Sequence, residues 1–301
     1  MKVLICDPVS ETAIEQIKKA GNDVTVKPDI TPEELAEVIP DYEAIVVRSR
    51  TKVRKPLLEK AKNLKLIVRG GVGIDNIDVD DAKAMGIEVR NTPQASSASV
   101  AELAIGHMFS LARQIPKGTM SLKNGEWIKK KLKGIELSGK TLGIIGIGRI
   151  GKETARKAIA LGMTVIAYDP YLTETGIEGV QLVSLDELLS NADFISLHLP
   201  HSDETHHLIS TDELSKMKET AYLVNCARGG IVDEDALYEA LSNGKIAGAA
   251  FDVFEKEPPT DNKLLTLDNF FCTPHIGAST KEGQARVGDE VAKIINGFGK
   301  S

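Results

Sequence analysis

The feature that most restricts this chain is the run Gly146-Ile147-Gly148-Arg149-Ile150-Gly151. It spells G-x-G-x-x-G between a short apolar segment, TLGII, and a helix-like segment, GKETARKAIALG. Glycines so spaced at a strand-to-helix junction divide three tasks. Gly146 allows the tight turn, Gly148 leaves the backbone open to a pyrophosphate, and Gly151 lets helix and strand pack closely. The helix start then offers free N–H groups and the positive end of its dipole to the phosphates. Asp169 ends the next strand-like run, TVIAYD, about 20 residues further on, where an acid meets the ribose of a dinucleotide. A carboxylate there accepts from both ribose hydroxyls of NAD and repels the additional phosphate of NADP. No arginine follows in AYDPYL to receive that phosphate. The cofactor expected is therefore NAD.

This junction sits within two series of short, β-branched runs. The first comprises KVLIC, DVTV, AIVVR, KLIVR and IEVR. The second comprises TLGII, TVIAYD, VQLV, DFISLHLP, AYLVNCARGG, IAGAAFDVF and FFCTPHIGA. Helix-like segments lie between most of them, and this alternation predicts parallel sheets covered by helices. The second series is more continuously apolar, as strands buried on both faces are. A helix is predicted from Thr31, with a capping box to Glu34 and Pro32 in its first turn. A long helix is predicted from a capping box at Ser99 and Glu102. Its apolar face is Val100, Leu103, Ala104, Met108, Leu111, Ala112 and Ile115, and it ends near Pro116 and Gly118. A final helix is expected from about Ser279 to Gly297.

At 301 residues the chain is long enough for two domains. Its net charge of −6 argues against nucleic acid or an anionic membrane as principal partner. The N-terminal MKVLICDP lacks a secretory layout, and no apolar run is long enough for a membrane span. Cys6, Cys226 and Cys272 are scattered, without metal spacing, as reduced thiols are; a cytoplasmic location and no metal are expected.

Three residues in loops after successive strands supply chemistry. Arg228 in NCARGG, Glu257 in FEKEPP and His275 in TPHIGA form an anion clamp, a carboxylate and a base. In an open α/β sheet such loops face the ligand crevice. His198 in SLHLP is placed to line that crevice. His201, His206 and His207 read as a polar loop, and His107 lies within the long helix. Arg48 and Arg50, ending AIVVR, and Arg69, ending KLIVR before the loop with Val72 and Gly73, are candidates to receive a substrate phosphate. Lys129, Lys130 and Lys131 read as a solvated charge run.

Taken together, the stretches RSRTKV, GGVGIDNIDVD, NTPQASSASVAELAIGHMFSLARQIP, LGIIGIGRIG, YDPY, NCARGGIVDE, AAFDVFEKEPP and TPHIGASTKEGQ resemble the D-isomer-specific 2-hydroxyacid dehydrogenases, in order and spacing, over the whole chain. Within that family they are most similar to the branch that oxidises 3-phospho-D-glycerate. The resemblance implies Arg228, Glu257 and His275 as the catalytic trio. It implies NAD contacts at Gly146, Gly148, Arg149, Ile150, Gly151, Asp169, His198, Cys226, Ala227, Arg228, Asp252, His275, Gly277 and Ala278, and a phosphorylated 2-hydroxy acid as substrate. It implies two doubly wound domains. A discontinuous flavodoxin-like substrate domain comprises 1–97 plus 280–301, and a Rossmann NAD-binding domain, 98–279, is inserted in it. Two chain crossings would serve as a hinge. A homodimer formed through the nucleotide domains, with NGEWIKKKLKGIEL as its arm, is also implied. Many members continue into C-terminal domains, one of them serine-binding. This chain is expected to be a short form that serine does not inhibit. Other D-2-hydroxyacid dehydrogenases, acting on glyoxylate, hydroxypyruvate or D-lactate, and an NAD-sensing regulator of the same fold remain as alternatives.

Overall fold

The computed structural model describes residues 1–299. The chain divides into two compact units, Met1–Ser97 continued by the segment from Ala278 onward, and Ala98–Gly277.

The first unit is a five-stranded parallel sheet of β1 (Lys2–Ile5), β2 (Asp23–Val26), β3 (Ala44–Val47), β4 (Leu66–Arg69) and β5 (Glu88–Asn91). The order β2-β1-β3-β4-β5 is that of flavodoxin-like folds. Both faces carry a core. One holds Leu4, Cys6, Ile45, Val47 and Ile67, and the other holds Val3, Ile5, Ala44, Val46, Leu66 and Val68. The helix Lys281–Gly297 lays Val287, Val291, Ala292 and Ile295 on this second face, so the end of the chain completes the sheet with which it begins. The predicted capping box between Thr31 and Glu34 is formed in both directions. The last helix is capped by Thr280 rather than Ser279; the Thr280 hydroxyl accepts from the Gly283 N–H.

The second unit is a seven-stranded parallel sheet of β6 (Thr141–Ile145), β7 (Thr164–Tyr168), β8 (Val180–Leu182), β9 (Phe194–Leu197), β10 (Tyr222–Asn225), β11 (Gly248–Phe251) and β12 (Phe270–Cys272). The order β12-β11-β10-β9-β6-β7-β8 is the Rossmann arrangement extended by one strand beyond β11. The strand order reverses between β6 and β9, which opens a crevice at their carboxyl ends. Strands β9 and β11 are buried along their whole length. Leu142, Ile144 and Phe194 pack on one face with Ala104 and Met108 of the helix Ser97–Arg113. Ile195, Leu197, Leu223 and Phe251 pack on the other. Each such large side chain contributes roughly 1.5–3 kcal/mol by leaving water.

The long helix departs from its expected limits. It begins at Ser97, so Ser99 and Glu102 lie inside it instead of capping it. It ends at Arg113, just short of the expected Pro116. Gln114 takes a left-handed conformation, and a second helix, Ile115–Lys123, begins there. Pro116 occupies the first turn of that helix, where its missing N–H is not needed. Among the described residues no helix is long and apolar enough to cross a membrane, and no three acidic, His or Cys residues are grouped as a metal site.

Candidate active site

The glycine loop has the geometry its spacing demands. Gly146 has φ +89°, and a Cβ there would lie 2.6 Å from the His198 carbonyl oxygen. Its N–H donates to the Tyr168 carbonyl at 2.9 Å, which ties the turn to β7. A Cβ on Gly151 would overlap the Gly146 carbonyl oxygen. Gly148, by contrast, is exposed, and nothing lies within 4 Å of where its Cβ would be. It is the N-cap of the helix Arg149–Ala160, and no side chain caps that end. The first-turn N–H groups therefore remain available to an anion. Arg149 and Ile150 are the first two helical residues.

Asp169 follows β7. Its Oδ2 accepts from the Ile147 N–H at 3.2 Å and its Oδ1 from the Tyr171 N–H at 3.1 Å. The carboxylate is thus anchored on the loop that would carry the pyrophosphate. An open glycine at a bare helix start with a fixed acid beside it fits a dinucleotide. His198 lies at the end of β9, with Nε2 2.9 Å from the Ser196 hydroxyl and Nδ1 buried without a protein partner. Burial pushes its pKa down to about 3, so the ring is neutral. Cys226 and Ala227 are buried, so any contact they make with a ligand runs through their main chain. Burial, and next the charge of Asp252, raise the Cys226 thiol well above its usual range.

The trio comes from the loops after β10, β11 and β12, which are adjacent in the sheet. After β10, Asn225 Oδ1 accepts from the Ala227 N–H and its Nδ2 donates to the Arg228 carbonyl, fixing the turn that presents Arg228. Arg228 Nη1 donates to the Ala227 carbonyl at 2.6 Å. The next residue must be small: a Cβ on Gly229 would fall inside the Phe254 carbonyl. That contact seats the Arg228 loop against the loop carrying Glu257. Glu257 Oε1 accepts from the Phe254 N–H at 3.2 Å, and Oε2 lies 2.7 Å from His275 Nδ1. Burial alone would raise the Glu257 pKa. The His275 hydrogen bond and charge, the Phe254 N–H and the Arg228 charge outweigh it and hold the carboxyl below its ordinary value. An ionised Glu257 only accepts, so His275 Nδ1 carries a proton, and in the neutral ring the lone pair is on Nε2.

His275 itself has φ +52°, and its N–H donates to the Asp252 carbonyl at 2.9 Å. The buried Asp252 carboxylate accepts from Thr273 Oγ1 and the Ile276 N–H at Oδ1, and from the Gly277 N–H at Oδ2. The carboxylate expected to touch NAD is thus turned into the turn that bears His275. Gly277 closes the second unit, and Ala278 is the first residue of the returning segment. Sequence reading passed over His107, whose Nε2 reaches Thr273 Oγ1 at 3.1 Å. The signal was present: His107 is seven residues after Val100 and three after Ala104, on the stripe predicted to be buried.

In the first unit, Arg48, Arg50, Arg69, Val72 and Gly73 lie at or beyond the carboxyl ends of β3 and β4. Arg50 does not present a free guanidinium. Nε donates to Asp7 Oδ1, Nη1 to the Ile30 carbonyl, and Nη2 to the carbonyls of Cys6 and Pro28. Four of its five N–H groups are committed within its own unit, which corrects the expectation that it is available to a phosphate. Arg48 is less engaged, with a single 3.4 Å contact from Nη1 to the Pro8 carbonyl. Arg69 folds across Gly71, where a Cβ would collide with its guanidinium. Asn91 Nδ2 donates to the Val72 carbonyl, and Asn76 Nδ2 ties the two loops by donating to the carbonyls of Arg48 and Thr51.

Residues 105–277 match the family model of the D-isomer specific 2-hydroxyacid dehydrogenase, NAD binding domain. The chain belongs to this family. A D-3-phosphoglycerate dehydrogenase of Methanocaldococcus jannaschii is 54% identical over 298 residues, 98% of this chain and 57% of that protein. The chain thus spans little more than half the length of the phosphoglycerate dehydrogenases it matches. A hydroxypyruvate reductase of Thermotoga maritima is 50% identical over 98% of this chain and 97% of its own. Among solved structures, the D-lactate dehydrogenase of Aquifex aeolicus complexed with NAD and lactic acid superposes with a TM-score of 0.86 at 34% identity, covering 100% of this chain and 96% of that one. Strands β6–β12 and the glycine loop thus lie within the segment that matches the family's NAD binding domain.

Proposed function

We propose that the chain catalyses the NAD-dependent oxidation of 3-phospho-D-glycerate to 3-phosphooxypyruvate, the first step of L-serine biosynthesis. The observation that carries this reading is the 2.7 Å pair of His275 Nδ1 and Glu257 Oε2 beside the Arg228 loop. It is supported by relatives of that activity at 43–54% identity. Gly146, Gly148, Arg149, Ile150, Gly151 and Asp169 would hold the cofactor. When bound, NAD supplies the acceptor for the two electrons leaving C2. Arg228 grips the substrate carboxylate and the C2 oxygen. His275 Nε2 accepts the C2 hydroxyl proton as that carbon becomes a ketone. Glu257 keeps the imidazole in the tautomer that can accept it and stabilises the resulting imidazolium. Within the first unit, taken by itself as a substrate-binding domain, Arg48 and Arg69 are the candidates to bind a phosphate.

A second reading rests on the Thermotoga relative, which the chain matches over nearly all of its length. In it the same trio reduces hydroxypyruvate, with His275 as proton donor. Turnover with NAD against 3-phosphoglycerate, D-glycerate, D-lactate and glycolate separates the two. A kcat/KM highest for 3-phosphoglycerate supports the first reading, and turnover confined to unphosphorylated acids replaces it with the second.

We also propose a cytoplasmic homodimer. Trp127 is 79% exposed on the segment resembling the dimer arm, and Ile115, Met120 and Leu122 are exposed on the helix just before it. Sedimentation of the wild type and of Trp127→Glu tests this. A dimer in both would remove the arm from the interface.

A further inference from the structure

We propose that His107 is a positioning residue for the dehydrogenase reaction: through the Thr273 hydroxyl it locks the Asp252 carboxylate, and Asp252 in turn holds the turn that carries His275. The inference rests on the dehydrogenase reading for its kinetic test.

The chain of contacts is short and buried. His107 is 4% exposed on the helix Ser97–Arg113, and Asp252 is 1% exposed after β11. Thr273, just past β12, stands between them, 3.1 Å from His107 Nε2 and hydrogen-bonded to Asp252 Oδ1. The proton positions follow from chemistry. An ionised Asp252 can only accept, so the single Thr273 proton points to Oδ1. The Thr273 oxygen is then left to accept, and His107 Nε2 must carry a hydrogen. Burial lowers the His107 pKa, and the charge of Asp252 opposes this without cancelling it, so the donor is a neutral ring.

The consequence reaches the catalytic turn along two routes. Asp252 Oδ1 and Oδ2 take the N–H groups of Ile276 and Gly277, and the Asp252 carbonyl takes the N–H of His275. His275 has a positive φ, a strained state for a non-glycine residue that its surroundings must enforce. Without the His107 N–H, the Thr273 hydroxyl becomes free to rotate, Asp252 loses a directed donor, and the His275 ring departs more often from its alignment with Glu257. A side chain that acts only by filling space would not require a hydrogen-bond donor at this position.

The test uses the full chain with His107→Leu, His107→Gln, Thr273→Val and the double variant His107→Leu/Thr273→Val. His107→Leu removes the donor at similar volume, whereas His107→Gln keeps an N–H. Losing one buried hydrogen bond predicts about a three- to tenfold fall in kcat for His107→Leu, with KM and the affinity for NADH unchanged. His107→Gln should restore most of the kcat. The double variant should be no slower than Thr273→Val alone, because both changes break one chain. Amide hydrogen exchange at Ile276 and Gly277 should quicken in His107→Leu and not in His107→Gln. Wild-type kcat in His107→Leu, equal loss in the Leu and Gln variants, or additive losses in the double variant would overturn the proposal. If the wild type turns over no 2-hydroxy acid, the dehydrogenase reading fails; the exchange pattern then decides the relay by itself.

Discussion

On the proposed dehydrogenase reading, Asp169 should make this chain discriminate strongly between NAD and NADP. The 2′-phosphate of NADP carries a charge of about −1.5 to −2 and would sit beside a carboxylate that two main-chain N–H groups hold in place. Asp169 is half-buried. A charge separation of about 5 Å and an effective dielectric of about 40 give a repulsion of about 3 kcal/mol. That corresponds to roughly a hundredfold lower kcat/KM with NADP. The cleanest perturbation is Asp169→Asn, because the amide oxygen can still accept from the Ile147 N–H while the charge disappears. Asp169→Ala would also release the glycine loop and confuse the two effects. The Asn variant should bring the ratio to within about tenfold of unity, mainly by improving NADP. The assay is initial-rate kinetics with both cofactors at saturating hydroxy acid. Equal kcat/KM for NAD and NADP in the wild type, or an unchanged ratio in Asp169→Asn, would refute the argument.

His275→Ala should lower kcat by about 10²–10⁴-fold while NADH binding, followed by fluorescence, stays near wild type. Glu257→Gln removes the anion that favours imidazolium, so the acid limb of the pH–rate profile should move to lower pH. The Glu257 carboxyl is depressed in the folded state, so its contribution to stability is full above the ordinary glutamate range and is lost as pH falls through the lower folded value. Thermal melts of wild type and Glu257→Gln should therefore converge in acid. Gly229→Ala should abolish turnover and reduce thermal stability, since its Cβ cannot coexist with the Phe254 carbonyl. An active, stable Gly229→Ala would mean that the two loops are not pressed together. Arg50→Ala leaves the buried Asp7 without its cation and should cost about 1–3 kcal/mol in urea unfolding, with substrate KM nearly unaffected.

The sheets were legible because their strands are short apolar runs punctuated by glycine and acid, while their flavodoxin-like and Rossmann arrangement was only implied by the family resemblance. The glycine loop was legible for a sharper reason, since each of its glycines answers a separate steric demand. Caps were less so. The Thr31–Glu34 box was read correctly, but Ser99 and Glu102 have the same spacing and lie inside a helix, because packing against the sheet extended that helix to Ser97. Arg50 shows the deeper limit. Nothing local to AIVVRSR announces that Asp7, more than 40 residues earlier, will claim its guanidinium. His107 could be placed on a buried stripe, but its partner could not be read, as Thr273 lies 166 residues away in the chain.

The helix Lys281–Gly297 has a consequence for how the molecule is made. The face formed by Val3, Ile5, Ala44, Val46, Leu66 and Val68 is covered by residues of that helix. During synthesis this surface precedes the second unit; Ala13 and Ile17 of the helix Glu11–Lys19 cover part of it at once, and the rest of its cover follows only after all of Ala98–Gly277. At about 5–20 residues per second, that interval is roughly 10–40 s. The second unit, contiguous in the chain, can close on itself as it leaves the ribosome, while the first waits half-built. The nascent first unit is therefore open to aggregation and chaperone capture until the helix Lys281–Gly297 arrives.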